Sequence, residues 1–181
     1  MPGRAARRRL RSEVIYENDF VDYKFQISYC GGAEVTMSPL HAQPVMKRPT
    51  IPTAMRQRLL SAARQAMQNS YAPYSKFHVG AAILTSRGDV FTGCNVENAS
   101  YGMTNCAERT AIFAAVAAKG PDLEVRAVAV TNDHNIPSSP CGACRQVIYE
   151  FGPDAVVFFQ GKRGWTHTHI TKLLPEGFRL Q

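Results

Sequence analysis

Three cysteines of the 181-residue chain, Cys106, Cys141 and Cys144, have the side chains and the spacing to grip one soft metal ion, and Glu108 follows the first of them by two residues. Cys141 and Cys144 are three apart in Pro140-Cys141-Gly142-Ala143-Cys144. At the start of a helix that separation puts both sulfurs on one side. Three protein ligands leave one position of a tetrahedral zinc ion for water, as catalytic sites do, whereas structural sites close the shell with four. A carboxylate beside the opening can carry protons. The pattern predicts metal-assisted hydrolysis, with one Zn2+ per subunit as the cofactor.

Three thiolates on a divalent cation leave a formal charge of minus one, which blunts the acidifying effect on the water. Arg109 and Arg145, each close in sequence to a ligand, are expected to donate to the sulfurs and offset that charge. A catalytic zinc brings the pKa of its water from 15.7 to about 7. At about 1.36 kcal/mol per unit, this amounts to roughly 12 kcal/mol in favour of the nucleophile, so Glu108 need only move protons. Glu108 also has a structural alternative. With Asn105 as N-cap it would stand at N3 and complete a capping box. The Cys-x-x-Cys pair, taken alone, is equally half of a structural zinc knot or a redox couple. The third cysteine and the flanking motifs argue against both.

The elements that must position these groups are visible as periodicity. Pro140 suits a helix start, and the helix from it runs to about Phe151. Cys106 heads a second helix, which runs to about Lys119, where Gly120-Pro121 stop it. Two helix N-termini then converge on the metal, and their partial positive charge favours thiolate. Thr53 caps an earlier helix to about Asn69, with Met55, Leu59, Ala63, Ala66 and Met67 on one stripe. Strands are expected over Phe77 to Thr85, Val90 to Val96, Val125 to Thr131, Ala155 to Phe159 and Trp165 to Thr168. Strands alternating with helices imply an α/β protein, a three-layer α/β/α sandwich around a mixed sheet. Both metal-bearing helices then begin at strand C-terminal ends, where open α/β sheets keep their sites.

Composition bounds the partners. The formal charge is +7, but Arg4, Arg7, Arg8, Arg9 and Arg11 precede the first acid, and without them 7 − 5 leaves +2. The basicity belongs to the tail, so no nucleic-acid partner is expected. No apolar run is long enough to span a bilayer, so no membrane partner is expected either. Five cysteines, three assigned to metal, argue for a reducing compartment and a cytoplasmic protein. Cys94 reads as a small buried hydrophobe, and Cys30 is unassigned. Residues 1–50 read as an N-terminal extension, disordered or loosely attached, with a strand or two between Val14 and Met37. A proline-rich linker then leads to a catalytic domain over 51–181. The arginine run lacks the apolar core of a secretory signal; an organelle-targeting role conflicts with the acids that follow.

The residues resemble the zinc-dependent nucleoside and nucleotide deaminases, whose signature includes three-cysteine ligation and a non-ligand Glu as acid and base. The likeness is greatest to the small homotetrameric cytidine deaminases. It rests on Asn95-Val96-Glu97-Asn98-Ala99-Ser100-Tyr101-Gly102 ahead of Cys106-Ala107-Glu108, on Tyr74-Ser75-Lys76-Phe77-His78-Val79-Gly80-Ala81-Ala82, and on Leu173-Leu174-Pro175-Glu176-Gly177-Phe178. It covers about Pro52 to the C-terminus. The resemblance implies a cytidine deaminase-like sheet and a nucleoside substrate: cytidine and deoxycytidine hydrolysed to uridine and deoxyuridine in pyrimidine salvage, with Glu108 shuttling protons. It implies that Asn95 and Glu97 read the ribose and that Phe77 walls the pyrimidine. It also implies that Ala99, Tyr101 and Phe178 complete sites in neighbouring subunits of a homotetramer.

Other readings of the same residues stand beside these. Phe77 and Phe178 also fit plain core packing, and Asn95 and Glu97 fit turn polarity. His167 and His169, two apart on one strand face, form a weak metal motif. His41 and His134 look like loop residues, and His78 should face away from Phe77. A blasticidin S-type deaminase shares the metal motif, and a polynucleotide cytosine deaminase is suggested by the basic tail.

Overall fold

The central strands are buried on both faces, and successive residues feed two opposite cores. The computed structural model describes residues 12–16, 23–27 and 50–179, and the chain divides into units of 1–47 and 48–181. In the first unit, β1 (Ser12–Tyr16) and β2 (Tyr23–Ile27) pair antiparallel, with Val14 opposite Phe25. The arginine run, Cys30, His41 and the proline-rich linker up to residue 49 lie outside the described residues.

In the second unit five strands form one sheet in the order β4-β3-β5-β6-β7. β3 (Val79–Thr85) lies between β4 (Val90–Cys94) and β5 (Val125–Asn132), antiparallel to both. β6 (Val156–Gly161) runs parallel to β5, and β7 (Gly164–His169) closes the edge antiparallel to β6. The sheet is therefore mixed.

Successive residues of a strand point to opposite faces. Ala81, Ile83, Val128, Val130 and Val157 turn toward α2 (Ala107–Lys119) and α3 (Gly142–Phe151), where they pack with Ala111, Ile112, Ala115 and Ile148. Ala82, Leu84, Ala127, Ala129, Val156 and Phe158 turn the other way, onto Leu59, Leu60 and Ala63 of α1 (Thr53–Met67). Helices on both faces of a mixed sheet make this an α/β protein, a three-layer α/β/α sandwich.

Two glycines set how closely the helices approach. A Cβ on Gly93 would stand 2.4 Å from Ala111 N and 2.6 Å from Ala107 O, so α2 packs on bare strand backbone. At Gly80 a Cβ would stand 2.0 Å from Ala63 O of α1. The N-terminus of α2, and with it Cys106, is thereby seated against β4.

Several boundaries differ from the expectations. Thr53 is the first helical residue of α1 and not its cap; Pro52 holds the N-cap position with no side-chain cap bond. β3 begins at Val79 and leaves Phe77 in the connection before it. A one-turn helix, α4 (Ile170–Leu173), follows β7 and precedes the last described residues. Among the described residues no helix is long and apolar enough to cross a membrane.

Candidate active site and metal centre

The site forms where β3 begins and β4 and β5 end. Val79 pairs with Asn132, and Gly80 with both Cys94 and Thr131. After β4 the backbone of Val96 exchanges two hydrogen bonds of 3.0 Å with Asn105. That bridge holds Asn105 outside the helix, so Cys106 takes the N-cap position of α2 and Glu108 is its second residue. The expected capping box is therefore not formed. The Asn105 Nδ2 donates instead to Thr110 Oγ1 at 3.0 Å, and Glu108 is left free for other work.

The β5–α3 connection is braced by Asn132. Its Nδ2 donates to Ile136 O at 2.9 Å and to Ser138 Oγ at 2.7 Å, and its Oδ1 accepts from Ile136 N. Pro140 is fully buried before the helix, two residues ahead of its expected place at the first helical position. Cys141 is the N-cap of α3, and Cys144 is the third residue of the helix and buried.

The three sulfurs lie within 4.8 Å of one another, with Cys106 and Cys141 3.9 Å apart. Tetrahedral zinc with Zn–S bonds of about 2.3 Å sets its sulfurs roughly 3.8 Å apart. The donor set fits that ion. Among the described residues this is the one group of three or more such side chains close enough to share a metal. His167 and His169 do not form a second one; His167 lies opposite Phe158 in the sheet, the rings 5.7 Å apart.

The cysteines are electrostatically unequal. A hydrogen bond from the Cys144 thiol holds Cys106 down to about 5 against the effect of burial, with help from Arg109. The Cys144 thiol is raised by the same contact and by burial. Arg109 donates from Nη2 to Thr104 O at 3.3 Å and to Cys106 Sγ at 3.7 Å. Its Nε is buried with no partner among the described residues. Arg145 behaves otherwise than expected. Its guanidinium donates to Pro140 O at 2.8 Å, Leu173 O at 2.9 Å and Ser139 Oγ at 3.1 Å. These bonds occupy it in tying the ligand loop to α4, and the charge at the sulfurs is met by Arg109.

Glu108 is 4 % exposed. Burial pushes its carboxyl up to about 7 against the bond from its own backbone N–H, and the Cys106 thiolate adds to the rise. In the metal-free protein this has a signed consequence. The folded state holds the Glu108 proton more tightly than the unfolded chain does, near 4.5. Stability is therefore unaffected below about 4.5, falls as pH rises to about 7, and stays reduced above that by about 3 kcal/mol. Glu108→Gln in chelated protein should recover that amount at pH 8 and nothing at pH 4.5. Urea unfolding at the two pH values measures it, and an equal gain at both would contradict the burial argument.

The remaining candidate residues form a second layer around the start of β3. Asn95 is buried, and its Oδ1 accepts from Val79 N at 2.8 Å and from the Ser70 hydroxyl. Its Nδ2 donates to Phe77 O at 2.9 Å. Glu97 accepts from the backbone N–H of Tyr74 at 2.8 Å and of Ser75 at 3.2 Å, and from the Ser75 hydroxyl. The Ser75 bond, ahead of the others, holds the Glu97 carboxyl below its ordinary range. Glu97 also lines an open cleft of about 390 Å3 with Tyr74, Ser75, Tyr101 and Thr104. Ala99 lies in the exposed turn where Ser100 N meets Asn98 Oδ1. Tyr101 is 77 % exposed and edge-on to Tyr74; Phe178 is 67 % exposed, its carbonyl held by Gln146 Nε2 at 2.9 Å. Ser70, Thr104 and Asp133 also take part in this layer, and no spacing in the sequence marks them; Ser75, within the run around Phe77, and His134, expected only as a loop residue, take part in it too.

The chain is similar to known proteins. A family model described as the cytidine and deoxycytidylate deaminase zinc-binding region matches residues 53–160. The cytidine deaminase of Halalkalibacterium halodurans is 48% identical over 128 residues, 70% of this chain and 96% of that protein. That of Sporosarcina psychrophila is 47% identical over 124 residues, 67% of this chain and 90% of that protein. A crystal structure of cytidine deaminase from Burkholderia pseudomallei superposes with a TM-score of 0.62 at 50% identity, covering 67% of this chain and 98% of that one.

Proposed function

This chain belongs to the cytidine and deoxycytidylate deaminase family, and on that premise we propose that it hydrolyses cytidine and deoxycytidine to uridine and deoxyuridine with release of ammonia. The observation that carries this reading is a buried carboxyl, Glu108, beside a cluster of three cysteine sulfurs. Cys106, Cys141 and Cys144 would hold one zinc ion per subunit, which when bound supplies a Lewis acid that lowers the pKa of a water.

Glu108 moves the protons. It takes one from the attacking water and passes it to N3 of the cytosine ring as the oxygen adds at C4. It then takes the proton of the C4 hydroxyl and delivers it to the departing amine, as the C4–N bond breaks and the C4 carbonyl forms. A carboxyl whose proton affinity is raised toward working pH serves in both directions. Arg109 offsets thiolate charge through its bond to Cys106. Asn95 and Glu97 offer an amide and a carboxylate to sugar hydroxyls. The anchored Glu97 is fixed before a ligand arrives, which limits the ordering cost of binding. Phe77 walls the pyrimidine.

The assembly we infer is a homotetramer in which Ala99, Tyr101 and Phe178 reach neighbouring sites. Its support is the exposure of Tyr101, Met103 and Phe178, apolar surface of the kind that marks an interface. Cytoplasmic pyrimidine salvage is the setting, with 51–181 as the catalytic domain and 1–50 as an extension. The test is ultraviolet absorbance and ammonia release with cytidine, deoxycytidine and blasticidin S, for the whole chain and for residues 51–181. Turnover of both nucleosides, within about two-fold for the shortened chain, is expected. Turnover of blasticidin S alone, or of no compound by zinc-loaded protein, would overturn the reading.

A further inference from the structure

Phe77 is gripped from three directions although it belongs to no strand. Its carbonyl accepts from Asn95 Nδ2 at 2.9 Å, and its N–H donates to Ser75 Oγ at 3.0 Å. Its ring is met by the imidazole of His134, with centroids 5.3 Å apart and planes 17° from parallel. His134 is itself fixed, because its Nδ1 lies 2.9 Å from Asp133 Oδ1. The other oxygen of Asp133 lies 2.7 Å from His78 Nδ1, and its backbone N–H donates to His78 O at 3.1 Å. Asp133 thus joins His134, which stacks on the Phe77 ring, to His78, the residue that follows Phe77 in the chain.

The backbone bonds fix where Phe77 stands but leave rotation about its side-chain bonds open. A stacked ring removes that freedom, since near-parallel aromatic pairs contribute about 0.5–1.5 kcal/mol. We propose that His134 is a positioning residue for the nucleoside base: stacked on Phe77 and tethered by Asp133, it holds the Phe77 ring in the orientation that receives the pyrimidine. The inference rests on Phe77 being the wall of the base site, as read above. It assigns to the β5–α3 loop a second task, setting the base wall as well as carrying the metal ligands. His134 is exposed on its outer side, so its replacement leaves the core intact.

The experiment compares His134→Ala, His134→Phe and Phe77→Ala in the whole zinc-loaded protein, with KM and kcat for cytidine measured separately. His134→Ala should raise KM about 3- to 10-fold, the range of one aromatic pair, with kcat and zinc content within two-fold of the parent. His134→Phe, which keeps a ring and loses the tether, should recover part of that loss, with KM between the parent and His134→Ala; a KM no lower than that of His134→Ala would overturn the stacking. An unchanged KM in His134→Ala beside a raised KM in Phe77→Ala would overturn the proposal and leave the base wall standing. An unchanged KM in Phe77→Ala would remove the base wall itself. A fall in kcat at constant KM in His134→Ala would also overturn the positioning role.

Discussion

Glu108→Gln is expected to keep a full complement of zinc and to lose at least about 10³-fold in kcat for cytidine, close to 4 kcal/mol of barrier. Glutamine has the volume and one of the acceptors of the carboxylate but cannot hold or release the proton. The general acid–base contribution, commonly 10²- to 10⁴-fold, is removed at each proton transfer the residue serves. The side chain is buried beside Cys106 and Cys144, so no bulk buffer can reach its place. KM should move little, because the loss falls on the transition state. Steady-state kinetics with metal analysis of the same sample checks this. A variant that retains zinc and turns over within ten-fold of the parent would remove the proton shuttle.

Cys144→Ala is expected to abolish turnover by a different route, through the metal. Cys144 is fully buried in the first turn of α3, its sulfur within 4.8 Å of those of Cys106 and Cys141. Without it two sulfurs remain, at Cys106 and Cys141, on separate helix N-termini. Zinc sites with a full ligand set bind with roughly 10–16 kcal/mol. Loss of one thiolate of three should cost on the order of 4 kcal/mol, about 10³-fold in affinity. The variant should emerge with little zinc, no measurable turnover, and a lower unfolding temperature, since the metal stabilises only the folded chain. Activity restored by millimolar zinc is compatible with this account. Full activity with zinc retained through dialysis against a chelator is not.

The parts of this molecule legible in its sequence are those fixed by local spacing. The interval between Cys141 and Cys144 places both on one helical turn, and the near-continuous apolar runs of β3, β5 and β6 are what a sheet covered on both faces requires. The three-layer sandwich follows from strands alternating with helices along the chain. What the sequence did not disclose depends on partners distant along the chain. Asn105 looked like a helix cap because its neighbours are helix formers, yet its backbone is claimed by Val96. Arg145 adjoins a ligand, yet its fork is filled by Pro140, Ser139 and Leu173. Phe77 continued the alternation of β3, but Asn95 and Ser75 take its backbone groups out of the ladder. His134 read as an ordinary loop residue because nothing in its neighbourhood shows that Phe77, far back in the chain, lies against it.

The most direct test of the central claim follows zinc content and cytidine turnover together as a chelator strips the 181-residue protein and zinc is then restored. Turnover should fall in proportion to bound zinc and return fully at one zinc per chain. Undiminished turnover in protein holding less than about a tenth of a zinc per chain would contradict it, because catalytic zinc is what leaves a coordination position for the reacting water.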